Sequence, residues 1–341
     1  MENNHLTYFK VENFKKFDAL EVNDIGQFNL IVGDNNVGKT CLLEALLVDE
    51  DGQQLLDNFW LSLKKRGLVF QIEEVTKKVG NVSTTETIYP KENYFKNYVL
   101  GSNSDDLSFQ CNNNFILVSV VDSNFGNNDF ENDFIRINDL LLNIYKNNDA
   151  ILNFPLISFN DTPLEIESRS IYENLKTKRE KQILIDILKV VNTKIVDVEL
   201  REKYEDLKSV FLISFDDKDE FVPLNFLGDG FKRIFYIALK ALSLKGKRIL
   251  IDEIEIGIHY SKMKDFWVNI FNVCKELDIQ LFATTHSQEC IEAYVEALKI
   301  VNIKNEARLI SLQEYKNKIY ASTYDYSNME AGILSNSSLR D

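Results

Sequence analysis

Basic residues are in short supply: 39 lysines and arginines stand against 53 aspartates and glutamates in 341 residues, a formal net charge of −14 at pH 7. Duplex binding draws much of its affinity from lysine and arginine set against phosphates, so a surface given over wholly to nucleic acid is excluded. Direct contact with nucleic acid is left without support, because the locally basic stretch Lys176-Thr177-Lys178-Arg179-Glu180-Lys181 reads as a solvated helix face. Cysteine is scarce, and Cys41, Cys111, Cys274 and Cys290 show neither metal nor redox spacing. The three histidines, His5, His259 and His286, are too scattered to argue for a zinc site. There is no signal peptide and no apolar run long enough to cross a bilayer, so a reduced, cytoplasmic protein with no membrane partner is expected. No heptad pattern is sustained, no central Cys-x-x-Cys occurs and no internal repeat is found, which excludes a long coiled-coil arm.

What the chain does contain is Gly33-Asp34-Asn35-Asn36-Val37-Gly38-Lys39-Thr40, a match to GxxxxGK[ST]. It sits between the strand-like run Phe28 to Val32 and a helical pattern carrying Leu42, Leu43, Leu46 and Leu47. Gly33 and Gly38 let the backbone curl, so that the N–H groups of Asn35, Asn36, Val37, Gly38, Lys39, Thr40 and Cys41 face a phosphate at a helix N-terminus. Lys39 is expected to reach the β- and γ-phosphates, and Thr40 to offer its hydroxyl to Mg²⁺.

Downstream, Arg248-Ile249-Leu250-Ile251-Asp252-Glu253 reads as a buried strand ending in two carboxylates. An apolar strand plants Asp252 rigidly beside the metal, and Glu253 polarises a water in line with the γ-phosphate. A third strand, Gln280-Leu281-Phe282-Ala283-Thr284-Thr285, ends at His286-Ser287, where the histidine is placed to sense the γ-phosphate or orient the water. About 22 residues before Asp252, Leu227-Gly228-Asp229-Gly230 opens a well-patterned helix from Phe231 to Leu239.

The series GDNNVGKT, LGDGFKR, ILIDEIEIGIHY and FATTHSQECIEA resembles the soluble, ABC-related AAA ATPases of bacteria. These are relatives of the overcoming-lysogenisation-defect (OLD) nucleases and, more distantly, of SMC and RecF-like repair ATPases. The resemblance is strong over the first 50 residues and over 225 to 300, and slight between. It implies an α/β ABC-type P-loop head, a mixed sheet flanked by helices with an antiparallel β layer. It further implies ATP and Mg²⁺ as cofactors, metal ligands Thr40 and Asp252, and catalytic roles for Lys39, Glu253 and His286. Gly228, Asp229 and Gly230 would then contact the ATP of an opposite subunit in a homodimer or higher homo-oligomer. An association with DNA repair or phage defence is implied too, through a separate effector such as a nuclease. Rival readings are a non-hydrolysing ATP-dependent scaffold and a repair ATPase that loads on DNA.

Gly228 replaces the serine of the usual LSGGQ signature, and Asp229 would sit near anionic oxygens unless Lys232, Arg233 or magnesium screens it. Gln71 and Gln110 are candidates for a glutamine loop, with neither assigned, and Asn13-Phe14-Lys15-Lys16-Phe17 is a candidate adenine contact.

Three regions are expected: 1–133, an N-terminal lobe with the phosphate loop; 134–209, a helical insertion or short arm; and 210–341, a C-terminal lobe. Alternating stretches at 68–72 and 115–121 suggest an antiparallel layer, and 101–114 and 122–133 read as loops. Ile135, Leu140, Leu141, Ile144, Leu184, Ile187, Leu188 and Val191 recur at helical spacing in the insertion. The 55 residues after His286 are expected to be too few for a fused nuclease domain.

Overall fold

The computed structural model describes residues 5–67, 73–79, 82–88, 98–100, 106–121, 134–143, 154–158 and 165–335. Its centre is a six-stranded sheet in the order Leu156–Ile157, Arg248–Ile251, Gln280–Thr284, Phe28–Gly33, Ala307–Tyr315, Lys318–Tyr324. The first five strands run parallel and the last is antiparallel. Phe28–Gly33 and Gln280–Thr284 are buried at every position, the pattern of a parallel sheet covered on both faces.

Successive side chains of a strand point to opposite faces, and here the alternation divides two apolar cores. Phe28, Leu30 and Val32 join Ile249, Ile251, Leu281 and Ala283 in one core. That core is filled by the helices Lys178–Lys189, Asp229–Ser243, Tyr260–Glu276 and Gln288–Val301. Ile31, Leu250, Phe282 and Ile310 face the other core. This second core holds the helices Lys39–Ala45 and Gly52–Lys65 and an antiparallel sheet, ordered Phe17–Val22, Phe9–Phe14, Asp106–Cys111, Asn114–Val121, Phe134–Ile137, Leu140–Asn143. The α/β head with an antiparallel layer is therefore the observed architecture. Among the described residues, no helix is long and apolar enough to cross a membrane.

Less of 134–209 is helical than its apolar spacing suggests. Helices occupy Glu165–Glu173 and Lys178–Lys189, but 134–143 is a hairpin, with Ile137 paired to Leu140 and Asn138 in the left-handed region at φ 50°. Two four-residue apolar strands around a tight turn place their residues at intervals that imitate a helix. Residues 195–215 likewise form a hairpin, Ile195–Tyr204 against Leu207–Phe215, with Glu205 at φ 51° in its turn. The stretch read as a loop at 101–114 contains the strand Asp106–Cys111, where Leu107, Phe109 and Cys111 are buried in alternation with more polar neighbours. Residues 68–72, with Gln71, and 122–133 lie outside the described residues, as does Ile144.

A buried polar contact joins the helix Glu165–Glu173 to the sheet-covering helix Asp229–Ser243. Glu167 accepts from Lys240 at 2.7 Å and from the Tyr236 hydroxyl at 2.6 Å, with both charged side chains almost fully shielded from solvent. A buried charge is tolerated when paired and hydrogen-bonded in this way, and the pairing fixes how the Glu165–Glu173 helix lies on Asp229–Ser243.

Candidate functional site

The parallel register brings three strand ends to one edge: Ala283 lies opposite Ile251 on one side and Leu30 on the other. Loops that follow the carboxyl ends of parallel strands are where such folds bind ligands. Here they carry Gly33 to Thr40, Asp252-Glu253 and Thr285-His286, the three motifs singled out in the sequence.

The glycines of the first loop are required by its path. Gly33 has φ 140°, and a Cβ there would lie 2.4 Å from the Leu312 carbonyl oxygen. Gly38 has φ 113°, and a Cβ there would meet the Phe17 ring at 3.0 Å. Asn36 takes the left-handed conformation that asparagine tolerates. No side chain caps the helix Lys39–Ala45, so its leading N–H groups are not taken up by a side-chain cap. Lys39 is 5% exposed and donates from Nζ to the carbonyls of Gly33 and Asp34, both at 2.7 Å. Its ammonium is thus held inside the curl of the loop.

Thr40 Oγ1 lies 3.1 and 3.2 Å from the two carboxylate oxygens of Asp252, which are separated from it by more than 200 positions in sequence. Thr284, which the motif reading passed over, donates to Asp252 Oδ1 at 2.7 Å while accepting from the Glu253 N–H at 2.8 Å. Glu253 has φ 49°, a conformation unusual for a side chain of its size. Burial pushes its carboxyl above the usual range, and the adjacent Asp252 charge acts in the same direction. His286 Nε2 lies 3.8 Å from Glu253 Oε1, and the His286 N–H donates to Glu255 Oε1 at 2.9 Å.

Lys39, Thr40, Cys41, Asp252 and His286 together line a cavity of about 620 Å³, while Glu253 is not part of its wall and lies beside His286. Its wall also carries Lys15, Lys16, Lys65 and Arg66, four cations whose convergence no local motif announces. Buried Glu44 accepts from Lys15 and from Arg66, each at 2.6 Å, and from Ser62 at 3.0 Å, which orders this wall. Lys16 donates to the Asn36 carbonyl and so meets the phosphate loop itself. Of the tract offered as an adenine contact, the lysines line the cavity while Phe14 and Phe17 are core residues, exposed by 0% and 1%. Gln110 is not part of the cavity wall. Cys41 is buried, its thiol pushed up to about 11 by burial, which sets it against thiolate chemistry.

Among the described residues no group of three or more His, Cys, Asp or Glu side chains could hold a metal. One hydroxyl and one carboxylate, Thr40 and Asp252, fit a hard cation that takes its remaining oxygens from phosphate and water, as Mg²⁺ does.

Gly228, Asp229 and Gly230 do not line this cavity. Gly228 caps the helix Asp229–Ser243, and a Cβ there would meet nothing within 4 Å, so Gly228 faces open space and Asp229 beside it is exposed. Asp229 is screened as expected by Lys232, at 3.0 Å, but not by Arg233. Arg233 is buried and turns inward, donating to the carbonyls of Asp252 at 2.6 Å, Glu253 at 3.2 Å and Ser158 at 3.0 Å. The reason is its position one turn into an amphipathic helix, on the side that packs against the acidic strand rather than on the solvent face. His259 is a helix-start residue: its ring accepts from the Ser261 N–H and packs on Tyr260 at 4.4 Å between centroids.

Comparison with known proteins places this geometry. The family model described as "AAA domain, putative AbiEii toxin, Type IV TA system" matches residues 28–292. An ATP/GTP phosphatase of Helicobacter pylori is 24% identical, with 94% of this chain and 96% of that protein aligned. An uncharacterised protein of Methanocaldococcus jannaschii is 31% identical over 103 residues, 30% of this chain and 89% of its own length. Among solved structures, an SMC head bound to the C-winged helix domain of ScpA superposes with a TM-score of 0.56 at 13% identity, covering 94% of this chain and 98% of that one. An SMC head with an extended coiled coil, from Pyrococcus furiosus and bound to the C-terminal domain of ScpA, gives 0.54 at 12%, with 97% and 99% covered. At such identities the likeness is one of fold.

Proposed function

The chain belongs to the AAA-domain family whose model it matches, and from that premise we propose that it is an ABC-type ATPase that binds and hydrolyses ATP in the cavity above the parallel sheet. The observation that carries this reading is the meeting of Lys39, Thr40, Asp252, Glu253 and His286, from three separated segments, at one edge of one sheet. An accidental P-loop match would not bring the Asp252 carboxylate and His286 to the cavity that Lys39 lines, with Glu253 beside that histidine.

In this reading the loop N–H groups from Asn35 to Cys41 and the Lys39 ammonium bind the β- and γ-phosphates. The cationic wall of Lys15, Lys16, Lys65 and Arg66 offsets the remaining negative charge. Mg²⁺, when bound, would be held by Thr40 and Asp252 and would neutralise charge on the same phosphate oxygens. Glu253 takes the proton of the attacking water, and His286, close to that carboxylate, orients it. Thr284 keeps the division of labour fixed, because one hydroxyl holds both the Asp252 carboxylate and the Glu253 backbone.

The exposed Gly228 and Asp229, which open the signature helix away from their own chain's cavity, support an assembly of at least two copies, each completing the other's nucleotide site. We further propose, from the resemblance of its motifs, that the assembly controls a separate effector such as a nuclease in antiviral defence; the matched family's description, which names a toxin of a toxin–antitoxin system, makes a toxin a second candidate for that effector. The name of the Helicobacter pylori relative recommends testing GTP beside ATP. Phosphate release measured with Mg²⁺ and with excess chelator tests the enzymatic core: release with Mg²⁺ and its loss on chelation are expected. Nucleotide bound tightly with no release, even at high protein concentration, would instead favour an ATP-dependent scaffold.

A further inference from the structure

Arg233 stands on the helix that begins with the signature turn, yet all three hydrogen bonds described above go to backbone oxygens around the acidic pair of its own chain. Nη2 spans the carbonyls of Asp252 and Glu253, and Nη1 reaches Ser158, itself part of the cavity wall. Glu253 is therefore gripped at both ends: its N–H by the Thr284 hydroxyl and its carbonyl by the guanidinium. Its left-handed backbone, φ 49°, persists only where surrounding groups over-determine it, and these two contacts do so.

A second contact links the same two segments. A Cβ on Gly230 would lie 2.3 Å from the Gly257 carbonyl oxygen, and one on Gly257 would lie 2.5 Å from the Gly230 Cα. The signature turn and the loop that follows Glu253 thus touch backbone to backbone, which only glycine at both positions permits.

We propose that Arg233 is a positioning residue that makes the signature turn and the Glu253 turn of one chain move as a single body, so that engagement of the turn sets the aim of the carboxylate. The inference rests on the ATPase reading and deepens it. Arginine suits the task because its planar fork satisfies several carbonyls in fixed directions, whereas a lysine ammonium supplies a point charge without that geometry.

The test compares full-length wild type, Arg233→Gln and Arg233→Lys, measuring the affinity for a fluorescent ATP analogue, and kcat and KM for phosphate release. Arg233→Gln is expected to lower kcat at least about tenfold, a modest share of what a well-placed general base contributes, while affinity for the analogue stays within about twofold. Arg233→Lys is expected to recover part of that kcat. Unchanged kcat in Arg233→Gln overturns the proposal. So does a parallel fall of kcat and affinity in both variants, the mark of general damage to the fold. Should Arg233→Gln fail to fold, Arg233→Lys decides: reduced kcat at intact affinity supports the proposal, and wild-type kcat overturns it. Absence of phosphate release from the wild type would be a different failure, that of the ATPase reading itself.

Discussion

Lys39→Ala is expected to weaken ATP binding at least about 100-fold, a loss of about 2.7 kcal/mol. Lys39 is the most enclosed of the cations on the cavity wall, and its ammonium is aimed by the Gly33 and Asp34 carbonyls. Removing it deletes a charge from a low-dielectric position where it acts strongly on phosphate. It also leaves two loop carbonyls facing the place where the γ-phosphate would sit. Lys15, Lys16 and Arg66 cannot make good the loss, since Lys15 and Arg66 already share Glu44 and Lys16 is tied to Asn36, and Lys65 lies over the Phe154 ring. Calorimetric titration with ATP in Mg²⁺ checks this. Wild-type affinity in the variant would mean that the cavity is not the nucleotide site.

Glu253→Gln should separate binding from chemistry. With the general base replaced by a group that cannot accept the proton, kcat is expected to fall by about 10²–10⁴ while nucleotide affinity is kept. The pH dependence gives an independent reading. Burial and the adjacent Asp252 raise the Glu253 carboxyl, so the protonated, inactive form persists to higher pH than for an ordinary glutamate. The wild-type rate should therefore rise with pH through a midpoint above the usual carboxylate range, and Glu253→Gln should lack that rising limb. A single-turnover series across pH measures both. A limb that survives in Glu253→Gln would assign the titrating group elsewhere.

The candidate site was largely legible in sequence because its parts obey local rules. A phosphate loop needs glycines at fixed offsets, and an acidic pair or a histidine at the end of an apolar strand is placed by the strand itself. Phe28 to Val32, Arg248 to Ile251 and Gln280 to Thr284 were all read as strands, and all lie in the central sheet. The elements misread are those where local pattern is ambiguous. Ile135, Leu140 and Leu141 follow helical spacing, yet their segment pairs with the strand Asn114–Val121 and with itself across Asn138. What had no local signal was partnership over distance. Thr284 is an ordinary strand threonine until Asp252 and Glu253 are brought beside it. Glu44 looks like a solvent-facing helix residue, but it is 1% exposed and joins Lys15, Ser62 and Arg66. Of the groups offered as a screen for Asp229, Lys232 takes that part, while Arg233 reaches carbonyls around the acidic pair, which nearness in sequence could not foretell.

The central claim, an ATPase completed by a second copy of itself, is tested most directly by solution mass with and without Mg-ATP for wild type, Lys39→Ala and Glu253→Gln at matched concentration. The mass is expected to rise with Mg-ATP in the wild type, to stay at the larger value in Glu253→Gln because hydrolysis no longer reopens the assembly, and to be unresponsive in Lys39→Ala. A mass that never changes in the wild type while ATP is bound and hydrolysed would contradict the claim, and would strip Gly228 to Gly230 of their role toward a partner's nucleotide.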